Sequence, residues 1–125
     1  MTTSSSKFKA SHPKEKREEL ANKIRNKYPD RIPVIVERGK NVPDIIKQKF
    51  LVPGDLTVGK FTLEIKKHLI VDKVDNIDSS KAIFLFVNGK SLTKSSDKLS
   101  SVYEQHRDQD GFVYITYHGE STYGC

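Results

Sequence analysis

The stretch Phe112-Val-Tyr-Ile-Thr-Tyr117 decides the fold, because every residue in it is aromatic or β-branched. Such residues favour a strand, and a run without polar alternation is typical of a strand buried on both faces. We therefore predict a strand over 112–117 in the middle of a sheet. After His118 the sequence offers no apolar face to pack, so the end of the chain is predicted to be mobile.

Other apolar patterns surround this strand. Leu20, Ile24 and Tyr28 repeat at helical spacing, and Pro29 ends that helix. A second helix is predicted to begin after Thr57, whose hydroxyl can accept from a free amide of the first turn. The other predicted elements, in chain order, are strands at 31–37 and 50–52, a strand over 81–87 that turns at Asn88-Gly89, a short return strand at Leu92 and a helix over 99–106.

Length and composition favour one domain. The chain has 125 residues, of which 35% are hydrophobic and 30% charged, and no apolar run approaches the ~20 residues that cross a bilayer. Cys125 is the one cysteine, so we expect no internal disulfide and no zinc site. The scattered histidines are interpreted as surface or core residues rather than ligands, and the chain is expected to be cytoplasmic. No grouping typical of an active site can be assembled, so an enzyme is not predicted.

The net charge of +6 is uneven along the sequence. Residues 1–50 carry 13 Lys and Arg against 6 Asp and Glu, whereas residues 51–125 carry 9 against 10. A basic half attracts nucleic acid, anionic lipid or acidic peptides alike, and charge by itself leaves that choice open. Because the sequence has no base-stacking array and no known reading motif, a specific nucleic-acid partner is not expected.

Several strings of residues carry a resemblance to a known family. They are Lys27-Tyr-Pro-Asp-Arg-Ile-Pro-Val-Ile-Val-Glu37, Lys49-Phe-Leu-Val-Pro53, Asp55-Leu-Thr-Val-Gly-Lys-Phe61, Phe86-Val-Asn88, Val102-Tyr103, Asp110-Gly-Phe-Val-Tyr-Ile-Thr-Tyr117 and Gly119-Glu-Ser-Thr-Tyr-Gly124. From about His12 to its end, the chain closely resembles the autophagy ubiquitin-like modifiers, the family of the GABA-receptor-associated protein and the microtubule-associated-protein light chain.

The resemblance implies an α+β fold, a ubiquitin-like β-grasp with an additional N-terminal helical segment. It divides the chain into four parts. They are a flexible N-terminal arm at 1–11, an N-terminal helical extension packed on the domain at 12–28, the ubiquitin-like domain at 29–118, and a flexible C-terminal conjugation tail at 119–125.

The resemblance also implies a conjugation cycle that acts on the tail. A processing cysteine protease would remove Cys125, and ubiquitin-like activating and conjugating enzymes would carry the exposed carboxylate of Gly124 to phosphatidylethanolamine. Tyr123 would give those enzymes an aromatic handle. The chain would have no catalytic residue, no metal and no cofactor other than this covalent lipid. It would be cytoplasmic, and on the autophagosome or another vesicle membrane when lipidated.

A second implied function is the docking of cargo receptors with aromatic-x-x-aliphatic motifs by strand addition at the sheet edge formed by β-strand residues 49–51. The first pocket, for the aromatic side chain, would be lined by Ile24, Pro33, Lys49, Leu51 and Phe112. The second pocket, for the aliphatic one, would be lined by Phe50, Val52, Pro53, Leu56, Phe61 and Leu63. The acidic residues that flank such peptides would be attracted by Arg31, Lys47 and His68.

The sequence departs from the family pattern near these pockets. Gln48 interrupts a run that is usually basic, His68 stands where Arg is common, Glu64 replaces an apolar residue and Leu20 an acidic one. The loop at 71–80 is lengthened. These departures bear on peptide selectivity. The alternative function is a non-conjugated peptide-binding adaptor of the same fold that acts in vesicle trafficking, in which Cys125 would be retained.

Overall fold

The structure is a computed structural model that describes residues 6–70, 82–89 and 91–119. The order of its elements is the predicted one, preceded by a short additional helix. The elements are α1 (Lys7–Ser11), α2 (Lys14–Lys27), β1 (Arg31–Arg38), β2 (Lys49–Pro53), α3 (Val58–Lys67), β3 (Ile83–Val87), β4 (Ser91–Leu92), α4 (Leu99–His106) and β5 (Val113–Gly119).

The strands form one mixed sheet in the order β2-β1-β5-β3-β4. β1 and β5 are parallel, and the other neighbours are antiparallel. β5 therefore lies in the middle, and Val113, Ile115 and Tyr117 on one of its faces and Tyr114 on the other are buried. The prediction of a central strand buried on both faces is confirmed, with the strand starting one residue later and ending at Gly119.

The two faces of the sheet bury different clusters. The α3 face packs against α3 and α4 through a large apolar core that includes Val34, Phe61 and Leu99. The α2 face packs against α1 and α2 through a small cluster, which consists of Phe8, Ala21, Ile35, Phe112 and Tyr114, with Leu20 and Ile24 beside it. Because side chains alternate along a strand, successive residues of β1 and β5 contribute to opposite faces.

Local signals in the sequence produce the predicted ends and turns. The Thr57 side chain accepts a hydrogen bond from the amide of Lys60 and caps α3. Asn88 and Gly89 have φ values of 56° and 70°, which is the left-handed region that a two-residue hairpin turn requires. α2 ends at Lys27, with Tyr28 as its C-cap, directly before Pro29.

The N-terminal segment differs from the flexible arm predicted for residues 1–11. In its described part, residues 7–11 form α1, and the Phe8 side chain is 3% exposed. The Ser6 hydroxyl (2.8 Å) and the Phe8 amide (3.0 Å) both donate to Oε2 of Glu37. A single aromatic residue in a polar segment gives no periodic pattern, so its docking site on the α2 face is visible only in the folded chain.

α2 docks by a stripe that is shifted from the predicted one. Ala21 is 1% exposed, whereas Tyr28 is 39% exposed. Ala21 fits because Gly111 approaches it closely: a Cβ built on Gly111 would lie 2.8 Å from the Ala21 Cβ, and the φ of Gly111 is +96°. The helix therefore meets the turn before β5 at a point where both residues must be small.

Candidate functional site

β2 lies at one end of the strand order, so no other strand of the described residues covers one of its sides. Its pairing with β1 sets Val34 opposite Phe50, and the amide of Val36 donates to the carbonyl of Gln48 at 2.8 Å. In an antiparallel ladder the bonded pairs alternate, so the backbone groups of Lys49 and Leu51 point away from β1. β2 can accept a further strand along that edge.

Pro33 lies within β1, yet its missing amide costs the sheet no backbone hydrogen bond. It lies opposite Leu51, a non-bonded position of the β1–β2 pair, and pairing with β5 begins one residue later, at Val34. The sequence requires an unpaired position for the missing amide of Pro33, and the register supplies it.

The residues predicted for the first pocket lie on the α2 face. Pro33 and Phe112 are buried, Ile24 and Leu51 are partly buried, and Lys49 is exposed at the edge. The Phe8 ring, which the sequence analysis did not include, lies edge-on to Phe112 with 5.5 Å between ring centroids. α1 therefore adjoins this set of residues.

Most residues predicted for the second pocket lie on the α3 face. Phe50, Val52 and Phe61 are core residues, and Leu56 is partly buried against them. Pro53 is exposed at the end of β2. Leu63 is 57% exposed and follows Phe61 by two helical positions, which places it on the far side of α3. The structure does not bring Leu63 to the other five.

Phe50 is surrounded by basic and aromatic groups. Its ring lies edge-on to those of Phe61 (5.4 Å) and His68 (5.3 Å), and Nζ of Lys47 is 4.9 Å from its centroid. Nδ1 of His68 is 2.9 Å from the carbonyl oxygen of Glu64, which orients the imidazole. Lys47 and His68 are thus close to the second pocket, where they can attract an acidic group.

Arg31 lies apart from Lys47 and His68. It is opposite Pro53, at the other end of β2 from Lys47, and its carbonyl accepts a 2.8 Å hydrogen bond from Nη1 of Arg25. The three residues predicted to act electrostatically therefore flank both ends of the edge strand instead of forming one cluster.

A groove continues from the first pocket beyond the start of β2. Its volume is about 510 Å3, and it is lined by Phe8, His12 and residues 44–49. Ile46, one of its lining residues, is 70% exposed. The sequence analysis missed this groove because α1 was not predicted, and nothing in the sequence separates the exposed Ile46 from the buried Ile45 next to it.

A buried carboxylate fixes α2 against the turn before β5. Asp110 is 2% exposed, and its Oδ2 accepts from Nη1 of Arg17 (2.7 Å) and from the hydroxyl of Tyr114 (2.5 Å). Its Oδ1 accepts from the amide of Phe112 at 2.9 Å. Burial, together with the Asp110 carboxylate, raises the pKa of Tyr114 well above its ordinary value, which keeps its proton in this network. The cluster thereby sets the position of Phe112.

The predicted conjugation residues Tyr123, Gly124 and Cys125 lie outside the described residues, as does the loop at 71–80. β5 ends at Gly119, whose amide donates to the carbonyl of Lys40 at 2.8 Å. Within the described ranges, no group of three or more His, Cys, Asp or Glu side chains could hold a metal ion. The helices of those ranges are all too short or too polar to cross a membrane.

Comparisons with known proteins agree over nearly the whole chain. A sequence model of the family described as "Autophagy protein Atg8 ubiquitin like" matches residues 16–124. Autophagy-related protein 8 of Dictyostelium discoideum is 50% identical over 121 residues, which cover 95% of this chain and 94% of that protein. Autophagy-related protein 8d of Arabidopsis thaliana is 49% identical, with 95% of each covered.

Two solved structures have the same fold. The crystal structure of Trypanosoma brucei ATG8 has a TM-score of 0.83 and 36% identity, and the match covers 97% of this chain and 100% of that one. Plasmodium falciparum Atg8 in complex with a P. falciparum Atg3 peptide has a TM-score of 0.75 and 35% identity, with coverages of 90% and 95%.

Proposed function

The chain belongs to the Atg8 family of ubiquitin-like autophagy proteins, which are modifiers and not enzymes, and on that premise we propose two finer functions for it. The first is processing after Gly124 and conjugation of that residue to phosphatidylethanolamine on autophagosomal membranes. The second is the recruitment of cargo receptors and adaptors through the edge strand β2.

Conjugation is supported by the family and by the residue types of the tail. Glycine lacks a Cβ, so its backbone can pass through a narrow enzyme channel and present its carboxylate without hindrance. Removal of Cys125 leaves Gly124 as the terminal residue. The nucleophiles would belong to the processing protease and to the activating and conjugating enzymes. The P. falciparum relative forms a complex with an Atg3 peptide, which supports a conjugation-pathway partner for this chain as well.

The observation that carries the docking proposal is the division of the β2 side chains between two faces. Lys49 and Leu51 face α2, whereas Phe50 and Val52 face α3. Positions i and i+3 of an added strand also face opposite sides. An aromatic-x-x-aliphatic segment can therefore place its aromatic side chain on the α2 face and its aliphatic side chain on the α3 face. The outward backbone groups of β2 would hold the segment.

The test of conjugation is Gly124→Ala in starved cells, with Thr122→Ala as the control within the same tail. We expect the parent and the control to lose Cys125 and to enter the membrane fraction, and Gly124→Ala to do neither. Mass spectrometry of the intact protein reads both forms. A parent protein that always retains Cys125 would contradict conjugation and favour the non-conjugated adaptor.

The test of docking is Leu51→Ala, because Leu51 is only partly buried, whereas Phe50 is a core residue whose truncation would also weaken the fold. Calorimetry with an aromatic-x-x-aliphatic peptide should show a loss of roughly tenfold in affinity. Leu92→Ala is the matched control, since Leu92 is 60% exposed on the opposite edge strand. If Leu51→Ala and the parent bind the peptide with equal affinity, the assignment of Leu51 to a docking pocket at β2 is wrong.

A further inference from the structure

We propose that the groove between α1 and residues 44–49 is a third subsite, which takes an apolar side chain four residues before the aromatic residue of the docked peptide. Ile46 is the specificity-determining residue of this subsite. The inference rests on the proposed docking of peptides at β2, and it adds a requirement that an aromatic-x-x-aliphatic motif does not contain.

The direction of the docked strand follows from the order of the two pockets. The β2 residues of the first pocket, Lys49 and Leu51, begin before those of the second, which extend to Pro53. Because the aromatic residue precedes the aliphatic one, the peptide runs parallel to β2. Residues before the aromatic one therefore pass Gln48, Lys47 and Ile46 in turn.

The spacing of a strand then selects the position. Side chains that share a face recur every second residue, so those at two and four places before the aromatic residue also face α2. Beginning from the first pocket, the nearer of them lies beside Lys49, whose side chain shares that face, and the farther one comes level with Ile46. Both lie along the groove, which shares Lys49 with the first pocket.

Ile46 is presented on a fixed backbone. Its amide donates to the carbonyl of His68 at 2.9 Å, the amide of Ile70 donates to Asp44 at 2.8 Å, and Ile45 forms an antiparallel bridge with Leu69. Ile45 and Leu69 point into the core, so the Ile46 side chain points outward, where it is 70% exposed. An exposed aliphatic group on a rigid backbone can bury area without a further loss of backbone entropy.

The opposite wall of the groove is aromatic. The rings of Phe8 and His12 are stacked with 4.3 Å between centroids, and Nδ1 of His12 is 3.0 Å from the carbonyl oxygen of Phe8. Glu37 anchors this wall through the amide of Phe8. A side chain that enters between Ile46 and the His12 ring would thus contact an aliphatic group on one side and an aromatic ring on the other.

The charged residues around the groove determine where acidic and apolar residues of a docked peptide are favoured. Asp44 lines the groove and disfavours an acidic side chain beside Ile46. Nζ of Lys47 lies over Phe50, toward the α3 face, where His68 also contacts Phe50. Lys49 also lines the groove, at the end that adjoins the first pocket. Acidic peptide residues therefore suit the positions near Lys47 and Lys49, and an apolar residue suits the fourth position, beside Ile46 and Asp44.

The experiment compares three peptides with the same aromatic-x-x-aliphatic core on the full chain. One has Leu at the fourth position before the aromatic residue, one has Ser there, and one has Ser there and Leu at the third position. On the parent protein we expect the first peptide to bind roughly fivefold more tightly than the other two, which is the gain expected when one leucine side chain is partly buried. Isothermal calorimetry measures the three affinities.

Two protein variants complete the cycle. With Ile46→Asp, the advantage of the first peptide should fall to less than about twofold, while the Ser peptide keeps its parent affinity. Leu63→Asp is the matched control, since Leu63 is 57% exposed on the far side of α3, and it should preserve the advantage. Both positions are exposed, so circular dichroism should show an unchanged fold.

The outcomes separate this inference from the docking proposal. Equal binding of the three peptides to the parent, or an advantage that survives Ile46→Asp, overturns the third subsite and leaves the edge-strand docking intact. If none of the peptides binds, both proposals fail. If Ile46→Asp alters only the affinity for anionic vesicles, Ile46 is a lipid contact, and the subsite is again overturned.

Discussion

The two faces of the sheet are held together by different physical means. On the α3 face, the described residues include nineteen buried apolar side chains in one cluster, whereas the cluster on the α2 face has five. The α2 face also has side-chain hydrogen bonds. Arg17 and Tyr114 donate to the Asp110 carboxylate, and the Phe8 amide donates to the Glu37 carboxylate. Apolar burial thus stabilises the first face, and a small cluster with directional hydrogen bonds positions the second.

The difference matters for the candidate site because each pocket depends on one face. The proposed second pocket would be built on Phe50, Val52 and Phe61 of the large core, so it should be as rigid as the fold. The first pocket depends on α2 and on Phe112, which Asp110 holds. Elements with few buried contacts can open without global unfolding. The aromatic pocket should therefore be the more adjustable of the two.

The largest expected effect is on the α3 face. Phe61 is 0% exposed, so Phe61→Ala should lower the free energy of unfolding by about 4 kcal/mol through lost burial and a cavity. Urea titration measures this change. Leu63→Ala on the same helix is the control and should change stability by less than about 0.5 kcal/mol. Similar losses for the two variants would contradict the assignment of the core.

A smaller effect is expected from Asp110→Ala, which removes the shared acceptor of Arg17, Tyr114 and the Phe112 amide. Breaking a buried ion pair leaves donors without a partner and should cost about 3 kcal/mol. Asp110→Asn keeps the acceptor oxygen and should cost less. In addition, Asp110→Ala should weaken binding of the peptide's aromatic residue, and unchanged peptide affinity would show that the cluster is not needed to form the first pocket.

A local effect is expected from Phe8→Ala. Although Phe8 is 3% exposed, α1 has only five residues and can detach while the sheet stays folded. The global free energy of unfolding should therefore change by less than about 1 kcal/mol. Tryptic cleavage at Lys7 and Lys9 should become roughly tenfold faster than in the parent. A cooperative loss of global stability would instead make α1 part of the main folding unit.

The smallest expected effect is a pH dependence of α1 docking. Burial would raise the pKa of Asp108, but the Lys9 ammonium at 2.6 Å and the Asp110 amide hold it below the ordinary value. Because the pKa of Asp108 is lower when α1 is docked, the ionised Asp108 carboxylate stabilises docking at pH values above the ordinary carboxyl pKa. This stabilisation is lost as the pH falls below about 4. The protection of α1 amides, measured as the ratio of the intrinsic to the observed hydrogen-exchange rate at each pH, should therefore fall there, and Lys9→Ala should reduce this dependence.

Several features were predictable because their causes are local. The strand before His118, the cap at Thr57 and the turn at Asn88-Gly89 each follow from residue types at fixed spacing, and the structure contains all three. The matched strings also led to the family. In contrast, the docking of α1 was not predictable, because Glu37 lies 29 residues from Phe8 and nothing near Phe8 in the sequence indicates the partner.

The candidate site shows the same division. The resemblance suggested the residues of both proposed pockets, but the exposed position of Leu63 and the separation of Arg31 from Lys47 depend on how α3 and β1 are oriented. The groove beside Ile46 requires α1, the 44–46 segment and the start of β2 to come together. Contacts of this kind are set by packing and register, not by neighbouring residues.

The sequence by itself determined the family, through the strings that match it. It also determined the order of elements and the central position of β5, because periodicity and β-branched composition act over a few residues. Only the tertiary structure decided which face each β2 side chain occupies, that Asp110 joins α2 to β5, and that Phe8 and Ile46 line one groove. The physical reason is that local preferences fix each element, whereas burial and hydrogen bonding between distant residues fix how the elements meet.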